Sequence, residues 1–267
     1  MIPNILSVAG SDPSGGAGIQ ADIKAISANG GYAMAALTAL TAQNTRGVIA
    51  VQGVAPGMVT DQIGAIRADI RIDAVKIGML GDADTIRAVA DALRGVDAPV
   101  VLDPVMVSKS GDRLLRAEAV DALRDTLLPM AAVITPNIPE AADLLKRAEA
   151  GDRAGMVSQA EALKTLGPRA VLLKGGHLAG LESPDLLLME DGKTWFDGVR
   201  QVTRNTHGTG CTLSSALATE LGKGLPLKEA VARAKAYVAG AIGGAGDLSV
   251  GGGRGPTHHF HALWRRL

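Results

Sequence analysis

Short apolar runs bounded by turn residues alternate along this chain with longer amphipathic stretches, an alternation that confines it to folds built from βα units around a mostly parallel sheet. Ile2–Ala9 reads as a buried strand. Ile19–Ala28 reads as a helix, its apolar Ile19, Ile23 and Ile26 recurring at helical spacing. The pattern then predicts strands at Tyr32–Thr41 and Val48–Val54, a helix at Met58–Asp69, a strand at Ala74–Ile77, a helix at Asp82–Leu93 and a strand at Val100–Leu102. Ala117–Leu128 (helix), Ala132–Ile134 (strand), Ile138–Lys146 and Val157–Leu166 (helices) and Ala170–Leu173 (strand) continue it. Pro184–Met189 and Lys193–Phe196 read as a hairpin, because Glu190-Asp191-Gly192 supplies a turn tolerant of positive φ. Helices at Thr209–Gly222 and Leu227–Ala241, then a short C-terminal helix, complete the prediction. The looser stretches Ala148–Gly155 and Gly243–Gly255 read as surface loops, and no repeat of fixed period is present. The expectation is one three-layer αβα sandwich over residues 1–267, with a mostly parallel central sheet.

Composition narrows the partners. Lys+Arg and Asp+Glu balance at 27 each, which leaves no electrostatic footprint for nucleic acid or an anionic membrane. Two residues each of Phe, Tyr and Trp are few platforms for stacking bases. The first strand leads into a glycine turn without a basic leader, and no apolar run is long enough to span a bilayer. A single cysteine allows no internal disulfide and fits a reducing cytoplasm. A small-molecule ligand is the expectation.

In open α/β sheets ligands bind outside the carboxyl ends of the strands, and the informative loops here follow predicted strands. Asn205-Thr-His-Gly-Thr-Gly-Cys211 carries two glycines in three residues before a helix of small residues. Such a helix start offers unpaired N–H donors and the positive dipole end, suited to a transferring phosphoryl group. The same segment also reads as a plain helix start capped by Thr209. It matches neither a Walker A loop nor a Rossmann fingerprint. Lys174, ending a buried strand before Gly175-Gly176, would place an ammonium at the same edge, or simply solvate a turn.

Asp103 ends the strand in Val-Val-Leu-Asp-Pro-Val, and Asn137 and Glu140 follow another. One or two carboxylates, completed by waters and phosphates, make the incomplete shell that Mg²⁺ uses in phosphoryl transfer. Asn137 and Glu140 also spell a capping box, and the two roles are compatible. The N-terminal loop Gly10-Ser-Asp-Pro-Ser-Gly-Gly-Ala-Gly18 has four glycines in nine residues and permits close approach of a planar ligand. Gln43 ends a strand; its amide can donate and accept at once, which suits an aminopyrimidine-like edge, or it is a surface polar residue. Met79 could pack on a ring face or belong to the core.

Ala9-Gly-Ser-Asp-Pro-Ser-Gly-Gly-Ala-Gly-Ile-Gln-Ala-Asp22, Ala39-Leu-Thr-Ala-Gln-Asn-Thr45, Lys76-Ile-Gly-Met-Leu80, Leu102-Asp-Pro-Val-Met106, Thr135-Pro-Asn-Ile-Pro-Glu140, Lys174-Gly-Gly-His177 and Asn205–Cys211 appear in this order. Together they closely resemble the hydroxymethylpyrimidine/phosphomethylpyrimidine kinases of thiamine biosynthesis, a ribokinase-like family. The resemblance implies a homodimer and two successive ATP-dependent phosphorylations, taking 4-amino-5-hydroxymethyl-2-methylpyrimidine to its monophosphate and then its diphosphate. It implies that Gln43 reads the pyrimidine, enclosed by Gly10, Ala17, Met79 and Val105, that Lys174 contacts ATP phosphates, and that the Gly208–Cys211 backbone forms an anion hole. The expected site therefore comprises catalytic Cys211, Lys174, Gly208 and Gly210; substrate-binding Gln43, Gly10, Asp22, Ala17, Met79 and Val105; nucleotide-binding Lys174, Asn137, Thr209 and Asn205; and magnesium-binding Asp103 and Glu140.

Cys211 stands where ribokinase-like sugar kinases resemble one another in placing an aspartate. A thiolate lowered by the helix start could act as a base, phosphate charge would oppose that, and a pocket-shaping thiol is the other reading. His258-His-Phe-His261 invites a metal reading, but a C-terminal helix packing Phe260, Leu263 and Trp264 explains it better. Arg265-Arg266 reads as a solvated end. The rivals are a pyridoxal kinase on the same scaffold and a non-catalytic pyrimidine or nucleotide sensor. The sensor predicts lost acids or a lost lysine, yet Asp103, Glu140 and Lys174 all stand.

Overall fold

The buried apolar runs sort by alternation onto two faces of one sheet. The computed structural model describes residues 1–106 and 117–264; Arg265-Arg266 lies outside them. Its main sheet is formed by β1 (Asn4–Ala9), β2 (Tyr32–Leu37), β5 (Ala74–Ile77), β6 (Val100–Leu102), β7 (Val133–Ile134), β8 (Val171–Lys174), β9 (Asp185–Met189) and β10 (Gly192–Phe196). Their order is β10-β9-β8-β7-β6-β5-β1-β2, with β9 antiparallel to both β8 and β10 and the other pairs parallel. Leu6, Val8, Val75, Ile77, Leu102, Ile134, Val171 and Leu173 pack on one face. There they meet helices α2 (Pro56–Asp69), α3 (Ala83–Ala92), α4 (Ala117–Ala122), α5 (Ile138–Leu145) and α6 (Arg153–Lys164). Ile5, Ala74, Val101, Val133 and Leu172 point the other way, onto α1 (Gly18–Ala28), α7 (Thr209–Gly222) and α8 (Leu227–Gly243). Burial on both faces is why these strands read as continuous apolar runs. The three-layer αβα expectation holds.

Three sequence expectations are corrected. The strand expected over Tyr32–Thr41 breaks at Thr38, whose N–H bonds the Ala9 carbonyl and whose hydroxyl bonds the Met79 carbonyl. The chain leaves the sheet there, and β3 (Ala39–Asn44) pairs with β4 (Gly47–Gly53) in a separate antiparallel ribbon. Propensity could not reveal that Val48–Val54 joins this ribbon rather than the core sheet. The helix expected over Ala117–Leu128 continues from α4 as a π turn (Leu123–Leu127) and a 3₁₀ turn (Leu128–Met130). The expected C-terminal helix is a run of turns: the His258 N–H bonds the Ala241 carbonyl, and Phe260 stacks on Trp264 with centroids 5.1 Å apart. Ring packing replaces helical periodicity.

One ion pair lies between the sheet and the α1/α7 layer. Lys76 of β5 and Asp22 of α1 have fully buried side chains, and Nζ lies 2.9 and 2.8 Å from the two carboxylate oxygens. Ser7 of β1 and Ser215 of α7 also donate to Asp22, at 2.7 and 2.8 Å. The pair thus ties β1, β5, α1 and α7 together directly beneath the site described next. Lys76→Met alone, which strands a buried carboxylate, is expected to cost about 3–5 kcal/mol in urea unfolding, and adding Asp22→Leu should recover most of it. Equal stability of the single and double variants would contradict this account.

Candidate active site

Two glycine-bearing loops interlock at the carboxyl edge of the sheet. Gly208, the N-terminal cap of α7, has φ of 76°, and a methyl built on it would lie 1.8 Å from the Gly16 carbonyl oxygen. Only glycine permits both the left-handed backbone and this approach. No side chain caps α7: Thr209 is its first residue, and the Thr209 hydroxyl donates backward to the Thr206 carbonyl at 2.7 Å. The reading of Thr209 as cap is therefore corrected. The first helical bond is Thr212 N–H to Gly208 carbonyl, 2.9 Å. The N–H groups of Gly210 and Cys211 accordingly have no acceptor within the helix.

Charge converges on that helix start. Lys174, at the end of β8, lies 3.0 Å from Asp103 Oδ1 and 3.9 Å from Glu140 Oε2. A methyl on Gly210 would sit 3.3 Å from Asp103 Oδ2 and 3.5 Å from Lys174 Nζ. Burial acts to lower the Lys174 ammonium, but Asp103 and Glu140 outweigh it and hold its pKa above the ordinary value. Asp103 is almost fully buried and also accepts from Thr135 Oγ1 at 3.1 Å. Asn137 and Glu140 do form the capping box of α5, each side chain bonding the other's N–H at 2.8 Å. Asp103 and Glu140 offer hard oxygen donors on either side of Lys174, a set that fits Mg²⁺ completed by phosphates and water. Among the described residues no group of three or more His, Cys, Asp and Glu could hold a metal ion. His259, expected by one reading to bind metal, instead bonds Thr212 and is pushed down to about 4, chiefly by burial.

The substrate residues divide. Gly10 packs against Met79, whose sulfur would lie 3.1 Å from an added methyl. Ala17 borders Gly208, and Val105 follows Asp103 and is half-buried. Gln43 approaches His207, 3.4 Å between amide nitrogen and ring Nε2, and His207 Nε2 lies 2.7 Å from Asp12 Oδ2. Asp22 is the correction: fully buried beneath the loops and held by Lys76, Ser7 and Ser215, it has no surface for a substrate. Asn205 donates its amide to the Ala245 carbonyl at 3.0 Å, which ties the loop before α7 to the turn after α8. Asp12, Thr41 and His207 received no role from sequence. Their contacts span up to 195 positions, and no local pattern signals them.

Burial raises the Cys211 thiol to about 11; Lys76 lowers it, Asp22 and Asp103 raise it, and the Gly18 N–H lowers it again. The thiol is therefore protonated at neutral pH.

This geometry, a parallel αβα sheet with an uncapped helix start facing a lysine and two acids, defines a ribokinase-like phosphotransferase. The family model "Phosphomethylpyrimidine kinase" matches residues 12–258. The chain is 54% identical over 260 residues to the hydroxymethylpyrimidine/phosphomethylpyrimidine kinase of Rhizobium meliloti, covering 97% of this chain and 98% of that one. Among solved structures it is similar to phosphomethylpyrimidine kinase from Clostridium difficile (TM-score 0.80, 42% identity, 91% and 100% of the two chains). It is also similar to Bacillus subtilis pyridoxal kinase in complex with ADP (TM-score 0.91, 34% identity, 99% and 100%). The chain belongs to the phosphomethylpyrimidine kinase family.

Cys211 is the sole cysteine, so its titration can be read by alkylation. Because its pKa lies near 11, the iodoacetamide rate should climb about tenfold per pH unit from 7 to 9 without levelling. A plateau in that range would show a thiolate the structure does not support.

Proposed function

We propose that this chain transfers the γ-phosphoryl group of ATP to the hydroxymethyl oxygen of 4-amino-5-hydroxymethyl-2-methylpyrimidine, and then phosphorylates the monophosphate to the diphosphate for thiamine biosynthesis. The observation that carries this reading is the meeting of Lys174, Asp103 and the uncapped start of α7 beside the Gly10–Met79 wall and Gln43. The N–H groups of Gly210 and Cys211 would hold the oxygens of the transferring group, where aligned donors and the helix dipole favour negative charge. The Lys174 ammonium, kept charged by its two acids, would neutralise phosphate charge as it shifts from one oxygen to the next. Asp103 and Glu140 would hold magnesium, which supplies further charge neutralisation. Asn137 and Thr209 border this nucleotide end through their places at the starts of α5 and α7. Gly10, Ala17, Met79 and Val105 would enclose the ring that Gln43 reads.

With its thiol protonated, Cys211 shapes the pocket and presents its N–H rather than acting as a resting-state base. Identity favours the pyrimidine over the pyridoxal reading, at 54% against 34% to the relatives described. The ribbon of β3 and β4 exposes Ile49 and Val51 on one face and Leu40 on the other, an exposed apolar element suited to pairing with a second copy of the chain. A single-domain cytoplasmic homodimer is the corresponding assembly. Among the described residues no helix is long and apolar enough to cross a membrane.

Incubation with ATP, Mg²⁺ and either the pyrimidine or pyridoxal, followed by mass, tests the reading. Two added phosphates on the pyrimidine are expected; phosphorylation of pyridoxal alone would overturn it. Lys174→Ala should lower kcat by about a hundredfold or more, and Cys211→Ala by less than about tenfold with similar losses in both steps. A loss confined to the first step on Cys211→Ala would restore the thiolate as base.

A further inference from the structure

The contacts around Gln43 contain a hydrogen-bond parity that settles which way its carboxamide faces. Asp12 is almost fully buried, and each of its oxygens is engaged. Oδ1 accepts from the Ser14 N–H and hydroxyl at 2.9 and 2.7 Å, while Oδ2 accepts from the Ala17 N–H at 2.8 Å and faces His207 Nε2 at 2.7 Å. Burial alone would raise this carboxyl, but the bonds from His207 and Ser14 prevail and hold it below its ordinary value, so it is ionised. A carboxylate only accepts. His207 Nε2 must therefore carry a proton and give it to Asp12. The ring has little freedom to do otherwise: it lies against Gly16, where an added methyl would come 2.4 Å from Cδ2, and its backbone N–H bonds the Gly255 carbonyl at 3.0 Å.

At the other end, Thr41 Oγ1 gives its one hydrogen to the Ser11 carbonyl at 2.9 Å. With the amide nitrogen of Gln43 toward His207 (3.4 Å) and its oxygen toward Thr41 (3.5 Å), donor faces donor and acceptor faces acceptor. A half-turn of the carboxamide exchanges oxygen and nitrogen without changing its shape: the NH₂ then donates to Thr41 Oγ1, and Oε1 faces the Nε2–H as the minor acceptor of a bond shared with Asp12, instead of setting two donors against each other. Resting on the pyrimidine-kinase reading above, we propose that His207, oriented by Asp12, is a specificity-determining positioning residue: it holds Gln43 with Oε1 toward His207 and NH₂ toward Thr41, and so fixes the polarity with which Gln43 reads a ring.

The consequence is selective. A carboxamide free to turn can serve either an amino ring edge, which presents a donor beside an acceptor, or an oxo edge, which presents the reverse. A carboxamide held in one orientation serves only one of them, and the mismatched ring leaves buried polar groups unpaired. His207 also immediately precedes Gly208, so the residue that orders ring recognition is continuous with the turn that would hold the phosphoryl group.

The test compares kcat/KM for 4-amino-5-hydroxymethyl-2-methylpyrimidine and its 4-oxo counterpart in the wild type, His207→Leu, His207→Gln and Thr41→Val. The expected result is a strong wild-type preference for the amino ring that falls by about tenfold or more in His207→Leu and in Thr41→Val. It should appear in the pyrimidine KM with the ATP KM unmoved. His207→Gln, whose amide N–H can stand where Nε2–H stood, should restore most of the preference. Equal losses on both rings in His207→Leu and Thr41→Val would overturn the inference while leaving the pyrimidine-kinase reading intact. Wild-type turnover of neither ring would end that reading and this inference with it. Independently of any variant, ¹⁵N NMR of the wild-type histidines should show His207 Nε2 protonated at neutral pH; an unprotonated Nε2 also overturns it.

Discussion

The approach of Gly208 to the Gly16 carbonyl is the constraint on which the site depends. It brings the loop after β1 against the start of α7, although nearly two hundred residues separate them in the chain. Because Gly208 takes a left-handed φ, α7 starts without a side-chain cap, and its first N–H groups stay available at the sheet edge. Because Gly16 has no side chain, the His207 ring can lie against the loop and reach both Asp12 and Gln43. One steric condition thus places the phosphoryl end and the ring end of the pocket side by side.

Beneath this interlock, the Lys76–Asp22 pair carries charge into the buried layer between the sheet and α1 and α7, with the Ser7 and Ser215 hydroxyls as its polar company. Such a pair is poor evidence of added stability, since two desolvated charges return little net free energy. Its effect on the site is electrostatic. Lys76 favours a negative Cys211 while Asp22 and Asp103 oppose it, and burial outweighs the lysine, so the thiol keeps its proton. Lys174 experiences the opposite balance, with two nearby acids overcoming desolvation. Both groups at this helix start therefore keep their protons, the lysine charged and the cysteine neutral.

Much of the site was legible in the residues. The βα alternation predicted the layers, and the positions of Asp103 and Lys174 at strand ends, with Glu140 in the helix start that follows another strand, predicted a shared edge, in line with the 3.0 and 3.9 Å contacts. Asp22 misled because it sits just past a glycine loop. Only the packing of α1 shows that it points down into Lys76 and Ser215 rather than up to a ligand. The β3/β4 ribbon escaped prediction because strand propensity carries no information about which neighbour a strand will pair with.

By itself, the sequence determined the fold class, the family and the kinds of groups offered to a ligand, because these follow from local periodicity, turn chemistry and side-chain type. Tertiary structure alone decided which of those groups meet. It made Asp22 a buried counter-ion, protonated Cys211, and joined Asp12, His207 and Gln43 into one hydrogen-bonded line. The reason is physical: burial, charge proximity and donor–acceptor parity arise only when distant segments pack, and none of them has a signature along the chain.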